Sequence, residues 1–169
     1  MMKTMITVVL LNLFFFVPLQ AQQAKQKQGA QWTHTVKKDA IEGTSYDWFV
    51  LSGRYLDAPR YSTGNPYLGV TCAEGKVKTS YIFIGAILEN GEVGSVRARW
   101  DDEKDRLEVN GVSTDYQSIF FGTAELQRIL KSKIFIVGID EWVASEITIQ
   151  FKIPSSNELL LRCGKNLTL

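Results

Sequence analysis

The chain has 169 residues, with 19 Lys and Arg against 18 Asp and Glu, one histidine and two cysteines. That length suits one domain built on a single sizeable core. The near-neutral balance, with no basic run, excludes nucleic acid as a partner, because binding phosphates draws on a surplus of Lys and Arg.

At the N-terminus, Lys3 supplies the positive charge of a secretory signal peptide and residues 6–18 its apolar run. Leu19-Gln20-Ala21 then places a small residue before Gln22, so residues 1–21 are expected to be removed on export. The apolar run is shorter than the roughly 20 residues that cross about 30 Å of hydrocarbon, and Asn12 and Pro18 interrupt it. No membrane span is expected after cleavage, and no cysteine near the cut offers a lipid anchor. Loss of Lys3 leaves equal numbers of acidic and basic residues. Residues 22–31 lack any large apolar side chain and read as a flexible leader. A single β-rich domain is expected over residues 32–169.

Residues 46–52 and 67–72 are short runs of aromatic and β-branched residues, bounded by turn-formers such as Gly53 and Gly75. Residues 77–88 are apolar on both alternating faces, which predicts a strand at the centre of a sandwich. Asn90-Gly91 follows as a hairpin signal, since both central residues of a type I′ turn need positive φ. Residues 95–100 then alternate Val96, Ala98 and Trp100 with Arg97 and Arg99. Residues 107–112, 134–139, 147–153 and 159–163 complete the predicted strands. One segment has helical spacing: in residues 123–132, Leu126, Ile129 and Leu130 share a face, Thr123 stands at the start, and Arg128 and Lys131 meet the negative end of the dipole. The fold class that follows is mainly β: an antiparallel sandwich or partly closed barrel of about eight strands with one short helix.

Cys72 and Cys163 stand 91 positions apart, and in an exported protein two thiols allow one intramolecular disulfide. Such a bridge would contribute roughly 4 to 5 kcal/mol as an upper value, tying the third strand to the last. Two buried free thiols or a redox pair are the alternatives, although redox pairs usually sit as Cys-x-x-Cys at a helix start.

The order of motifs from Leu68 onward carries a resemblance. LGVTCAEGK is followed by SYIFIG, VRARWDD, STDYQSIFF, the helix AELQRILKS, the strand KIFIVGI and the ending FKIPSSNELLLRCG, about 95 residues in all. This order resembles small exported bacterial proteins that are accessory components of type VI secretion, together with related stand-alone envelope proteins. The resemblance implies a β-rich envelope protein without catalysis, and its recurrent positions match Arg97, Arg99, Asp101, Asp102, Ser113, Thr114 and Asp115 here.

Read on their own, Arg97 and Arg99 share one strand face and Asp101 continues that parity; Asp115 reaches the same edge if the segments pair. Together they form a candidate binding surface for a carboxylate, phosphate or sugar, because arginine presents a planar donor fork. The competing reading is a solvated face with cross-strand ion pairs. Tyr61, in the loop ARYSTGNPY, and Trp142, in GIDEW, are the aromatics expected to be exposed and join that candidate surface; most aromatics are expected in the core. His34 has no neighbouring partner that would make it a base or ligand, and nothing resembles a nucleophile elbow. The acids at residues 101–105 lack the spacing of a calcium loop and read as a hairpin turn. No catalytic residue, metal site or cofactor is expected. The functional expectation is a non-catalytic periplasmic or secreted module that binds an envelope protein or cell-wall component, including as a secretion-system accessory. An inhibitor of a wall-degrading enzyme and an envelope hydrolase are the alternatives.

Overall fold

The computed structural model describes residues 30–59, 61–88, 94–140 and 146–167. The signal sequence, most of the leader, the Asn90-Gly91 turn and Trp142 lie outside the described residues.

Strands β1 (Trp32–Lys38), β2 (Ser45–Ser52), β4 (Tyr67–Ala73), β5 (Lys76–Phe83), β8 (Gly111–Val112) and β9 (Ser118–Phe121) form sheet A, in the order β1-β2-β4-β5-β9-β8. Sheet B runs β3-β11-β10-β6-β7 and contains β3 (Arg54–Asp57), β6 (Ser95–Trp100), β7 (Glu103–Glu108), β10 (Ile134–Asp140) and β11 (Glu146–Lys152). All pairings are antiparallel. The fold is a sandwich of two open sheets rather than a closed barrel.

Alternation along each strand decides which face is dry. Phe49, Leu51, Leu68, Val70, Ile82 and Ile119 of sheet A meet Trp100, Phe135, Val137, Ile147, Ile149 and Phe151 of sheet B in one core. Helix α1 (Thr123–Lys131) closes one side of it, burying Leu126, Ile129 and Leu130 as their spacing predicts. Gly122, not Thr123, occupies its N-cap. Arg128, at the other end of α1, lies over the Trp100 ring at 3.7 Å and bonds Glu103 and Asp105.

Three expectations are corrected. Residues 107–112 are not one strand: Leu107 ends the β6–β7 hairpin of sheet B, whereas Gly111 and Val112 pair with β9 in sheet A. Residues 159–163 are not a strand but most of a second helix, α2 (Asn157–Cys163). A strand would bury Leu159, Leu161 and Cys163 on one face; here Leu159 and Cys163, four apart, are buried and Leu161 is 86% exposed. With β1, β3 and β9 added, eleven strands stand among the described residues where about eight were expected.

The Cys72–Cys163 disulfide is present, with Cα atoms 5.6 Å apart. It joins β4 to α2, rather than strand to strand. The residues after α2 extend the junction: the Asn166 side chain accepts from the Val77 N–H and donates to the Val77 carbonyl, and the Lys165 N–H donates to the Gly75 carbonyl. Gly75 and Glu74 both adopt positive φ in the two-residue turn that makes the β4–β5 hairpin.

Candidate binding surfaces

The sequence-derived candidates fall at three separate places. Arg97 and Arg99 project from the outer face of sheet B. Asp101 turns back into the structure. With φ of 51° in the β6–β7 turn, its carboxylate accepts the backbone N–H groups of Lys133 and Ile134 at 3.0 and 2.8 Å, clasping the start of β10. Asp115 belongs to sheet A, in the turn between β8 and β9, where the Ser113 hydroxyl and the Gln117 N–H donate to it. Those bonds, the Ser113 bond first, hold its carboxyl below the ordinary range. Tyr61 is 73% exposed in the loop before β4. Neighbouring Thr63 anchors that loop to the Gly85 carbonyl and the Gln117 side chain.

Of the cross-strand ion pairs that the sequence suggested, Arg97 forms one and Arg99 forms none among the described residues. Directly opposite on β7 are Arg106 and Lys104. Arg97 finds its ion pair on another strand, with Glu146 of β11, whose carboxylate passes over Gly138. Leu56, Ile136, Gly138 and Thr148 form the floor of an open groove of about 450 Å³ beside these cations.

A second surface was missed by the sequence reading, which assigned most aromatics to the core. On the outer face of sheet A three registered rows cross the strands: Thr35, Trp48, Thr71 and Thr79; Thr33, Val50, Gly69, Tyr81 and Phe120; Ser52, Tyr67, Phe83 and Ser118. None of these residues is charged. Trp48, Tyr67, Tyr81, Phe83 and Phe120 are only partly buried and touch one another. Tyr67 stacks on Phe83 at 4.9 Å and meets Tyr81 edge-on at 5.9 Å, Tyr81 leans on Phe120 at 5.8 Å, and the Trp48 indole N–H donates to the Tyr81 hydroxyl at 3.1 Å. The Tyr81 ring lies directly across Gly69, where a Cβ would meet it at 2.4 Å. Lys37 covers part of the Trp48 ring, with its ammonium 3.7 Å from the centroid. Burial first, and the Tyr81 neighbour second, push the Tyr67 phenol up to about 12, so it stays a neutral hydroxyl. The available signal was the double-sided apolar pattern of residues 77–88. It arises because Tyr81 and Phe83 pack on their own sheet, while Ile82 and Ser80 face the core.

His34 has acquired partners from distant sequence. Its ring stacks on Phe49 at 4.5 Å; Nε2 lies 2.8 Å from Asp47, and Nδ1 lies 3.2 Å from Glu158 of α2. Arg162 completes the ring of charges, 3.1 Å from Asp47 and 3.5 Å from Glu158. Each imidazole nitrogen thus has a carboxylate oxygen within 3.2 Å. A cleft of about 650 Å³ lined by Trp32, His34, Leu51, Ser52 and Glu158 opens beside this cluster.

Among the described residues no three His, Cys, Asp or Glu side chains are grouped to hold a metal, and no helix is long and apolar enough to cross a membrane. No protein-family model, curated protein or solved structure matches the chain.

Proposed function

We propose that the protein is an exported, non-catalytic binding module of the cell envelope, and that the outer face of sheet A recognises a wall glycan. The observation that carries this reading is the uncharged aromatic strip of Trp48, Tyr67, Tyr81, Phe83 and Phe120, rimmed by the hydroxyls of Thr33, Thr35, Thr71 and Thr79. Aromatic rings offer apolar faces to the C–H side of a sugar, and neutral hydroxyls match its polar edge without the desolvation cost of a charge. A flat sheet face suits an extended polymer better than it suits a small ligand, which needs a concave site. The non-catalytic part rests on the use of the candidate acids and base: Asp101 and Asp115 serve backbone turns, and His34 is held by two carboxylates. Export rests on the N-terminal sequence and agrees with the disulfide, which persists in oxidising compartments. A role as a secretion-system accessory follows from the motif resemblance and is one setting in which a wall-bound module would act.

Co-sedimentation with purified wall sacculi, with soluble glycan strands freed of stem peptides as competitor, tests the reading. The wild-type protein is expected to pellet with sacculi and to be released by the free strands, and the Trp48→Ala and Phe83→Ala variants to bind at least about tenfold more weakly, given about 1 to 3 kcal/mol per lost aromatic contact. Binding to sacculi that survives both substitutions would overturn it.

A further inference from the structure

The outer face of sheet B carries cations without an ion-pair partner among the described residues. Two successive cross-strand pairs there are like-charged: Arg97 opposite Arg106, and Arg99 opposite Lys104. Like charges directly opposed in an antiparallel pair destabilise it. Arg97 is relieved by Glu146, and Arg106 by bonds to the Ser95 hydroxyl and carbonyl. Arg99 and Lys104 have no ion pair among the described residues. Both line the groove whose floor contains Leu56 and Ile136, and the two carboxylates that also line it, Asp105 and Glu146, are taken by Arg128 and Arg97. Leu56 is 45% exposed, a large apolar side chain left at the surface beside two unneutralised cations.

We propose that this groove docks an acidic segment of a partner polypeptide, with carboxylates on Arg99 and Lys104 and an apolar side chain over Leu56 and Ile136. The cations select an anion, and Arg99 can take a carboxylate with both arms of its fork. The apolar floor selects a polypeptide over a sulfated or phosphorylated glycan, which has no apolar side chain to place there. The like-charged Arg99–Lys104 pair, which costs the free sheet stability, is offset once an anion sits between the two cations. This surface lies on the opposite side of the sandwich from the aromatic strip, so the inference does not rest on the glycan reading.

The probes are a short dye-labelled peptide of alternating Glu and Leu, its Gln–Leu analogue and a sulfated glycan, each titrated against the full chain by fluorescence anisotropy. The Glu–Leu peptide is expected to bind with an affinity that falls as salt rises, and the Gln–Leu analogue at least about tenfold more weakly. Arg99→Glu should abolish binding while raising Tm by about 1 to 3 °C, because the new carboxylate faces Lys104. Ile136→Ser should weaken binding without changing its salt dependence. Equal binding of the Gln–Leu peptide, undiminished binding by Arg99→Glu, or a fall in Tm for that variant overturns the proposal. Displacement of the peptide by the sulfated glycan at matched charge would identify a polyanion site and overturn the polypeptide assignment.

Discussion

In the first turn of α1, one carboxylate oxygen of Glu125 is shut away from solvent without a hydrogen-bond partner. Burial, opposed by Arg128 and reinforced by Glu108 and Asp105, raises its carboxyl above the ordinary value of 4.5. A carboxyl that is harder to ionise in the folded state makes stability fall as pH rises from the unfolded value through the folded one. The penalty is in place at neutral pH. Glu125→Gln is therefore expected to raise Tm near neutrality and to bring little gain in acid below 4.5, where the wild-type side chain is already protonated; thermal scans at the two pH values check this. Gly69 poses the opposite case. A methyl group there would push the Tyr81 ring off β4 and break the Trp48–Tyr81 bond, so Gly69→Ala is expected to cost about 1 to 3 kcal/mol of stability and to weaken sacculus binding; denaturant melts and co-sedimentation read the two effects. At this scale the sequence revealed what alternation controls, such as the shared face of Arg97 and Arg99. It hid what long-range packing controls: His34 meets Asp47 and Glu158 only because β1 pairs with β2 and α2 folds down beside them.

Helix α2 has seven residues, too short to persist alone, since helix nucleation is unfavourable and isolated helices of that length are marginal in water. It is held by Cys163, by Leu159 in the core, and by the ion pairs of Glu158 and Arg162 around His34. Replacing both cysteines by serine is expected to cost up to about 4 to 5 kcal/mol. It should also raise amide exchange first in α2 and at Val77, whose backbone is capped by Asn166; hydrogen-exchange mass spectrometry checks the order. The same helix shows where the sequence misled. Three consecutive leucines between Glu158 and Arg162 fit a strand as well as a helix by periodicity alone, and only the packing that exposes Leu161 decides. By contrast α1, β6 and β11 were legible because their amphipathic patterns match a single period, and β10 because it is a short continuous apolar run. Of the hairpin turn expected over residues 101–105, Asp101 and Asp102 do turn, whereas Glu103, Lys104 and Asp105 already pair with β6 as part of β7.

For the whole molecule, the two sheets present chemically unlike outer faces: one aromatic, with Lys37 at the edge of its strip, the other cationic around an apolar floor. Ligands on opposite faces of a rigid sandwich should bind independently. Saturation with the Glu–Leu peptide is expected to leave sacculus binding unchanged within about twofold, as for sites without shared contacts, and only the peptide face should be sensitive to moderate salt. The disulfide gives such a two-sided module a mechanical property. Because Cys163 is bonded to Cys72, a pull applied to the two ends of the domain travels through the bridge and bypasses the 91-residue separation between them. Only β1, β2, β3 and part of β4 can unravel, while the whole cationic hairpin β6–β7 stays slack inside the covalent loop. Reduction would release about 310 Å of additional contour length, at about 3.4 Å per residue. The cystine thus acts as a strain limiter: tension reaches Trp48, Tyr67 and Leu56, whereas Arg99, Lys104 and Ile136 stay unloaded inside the covalent loop.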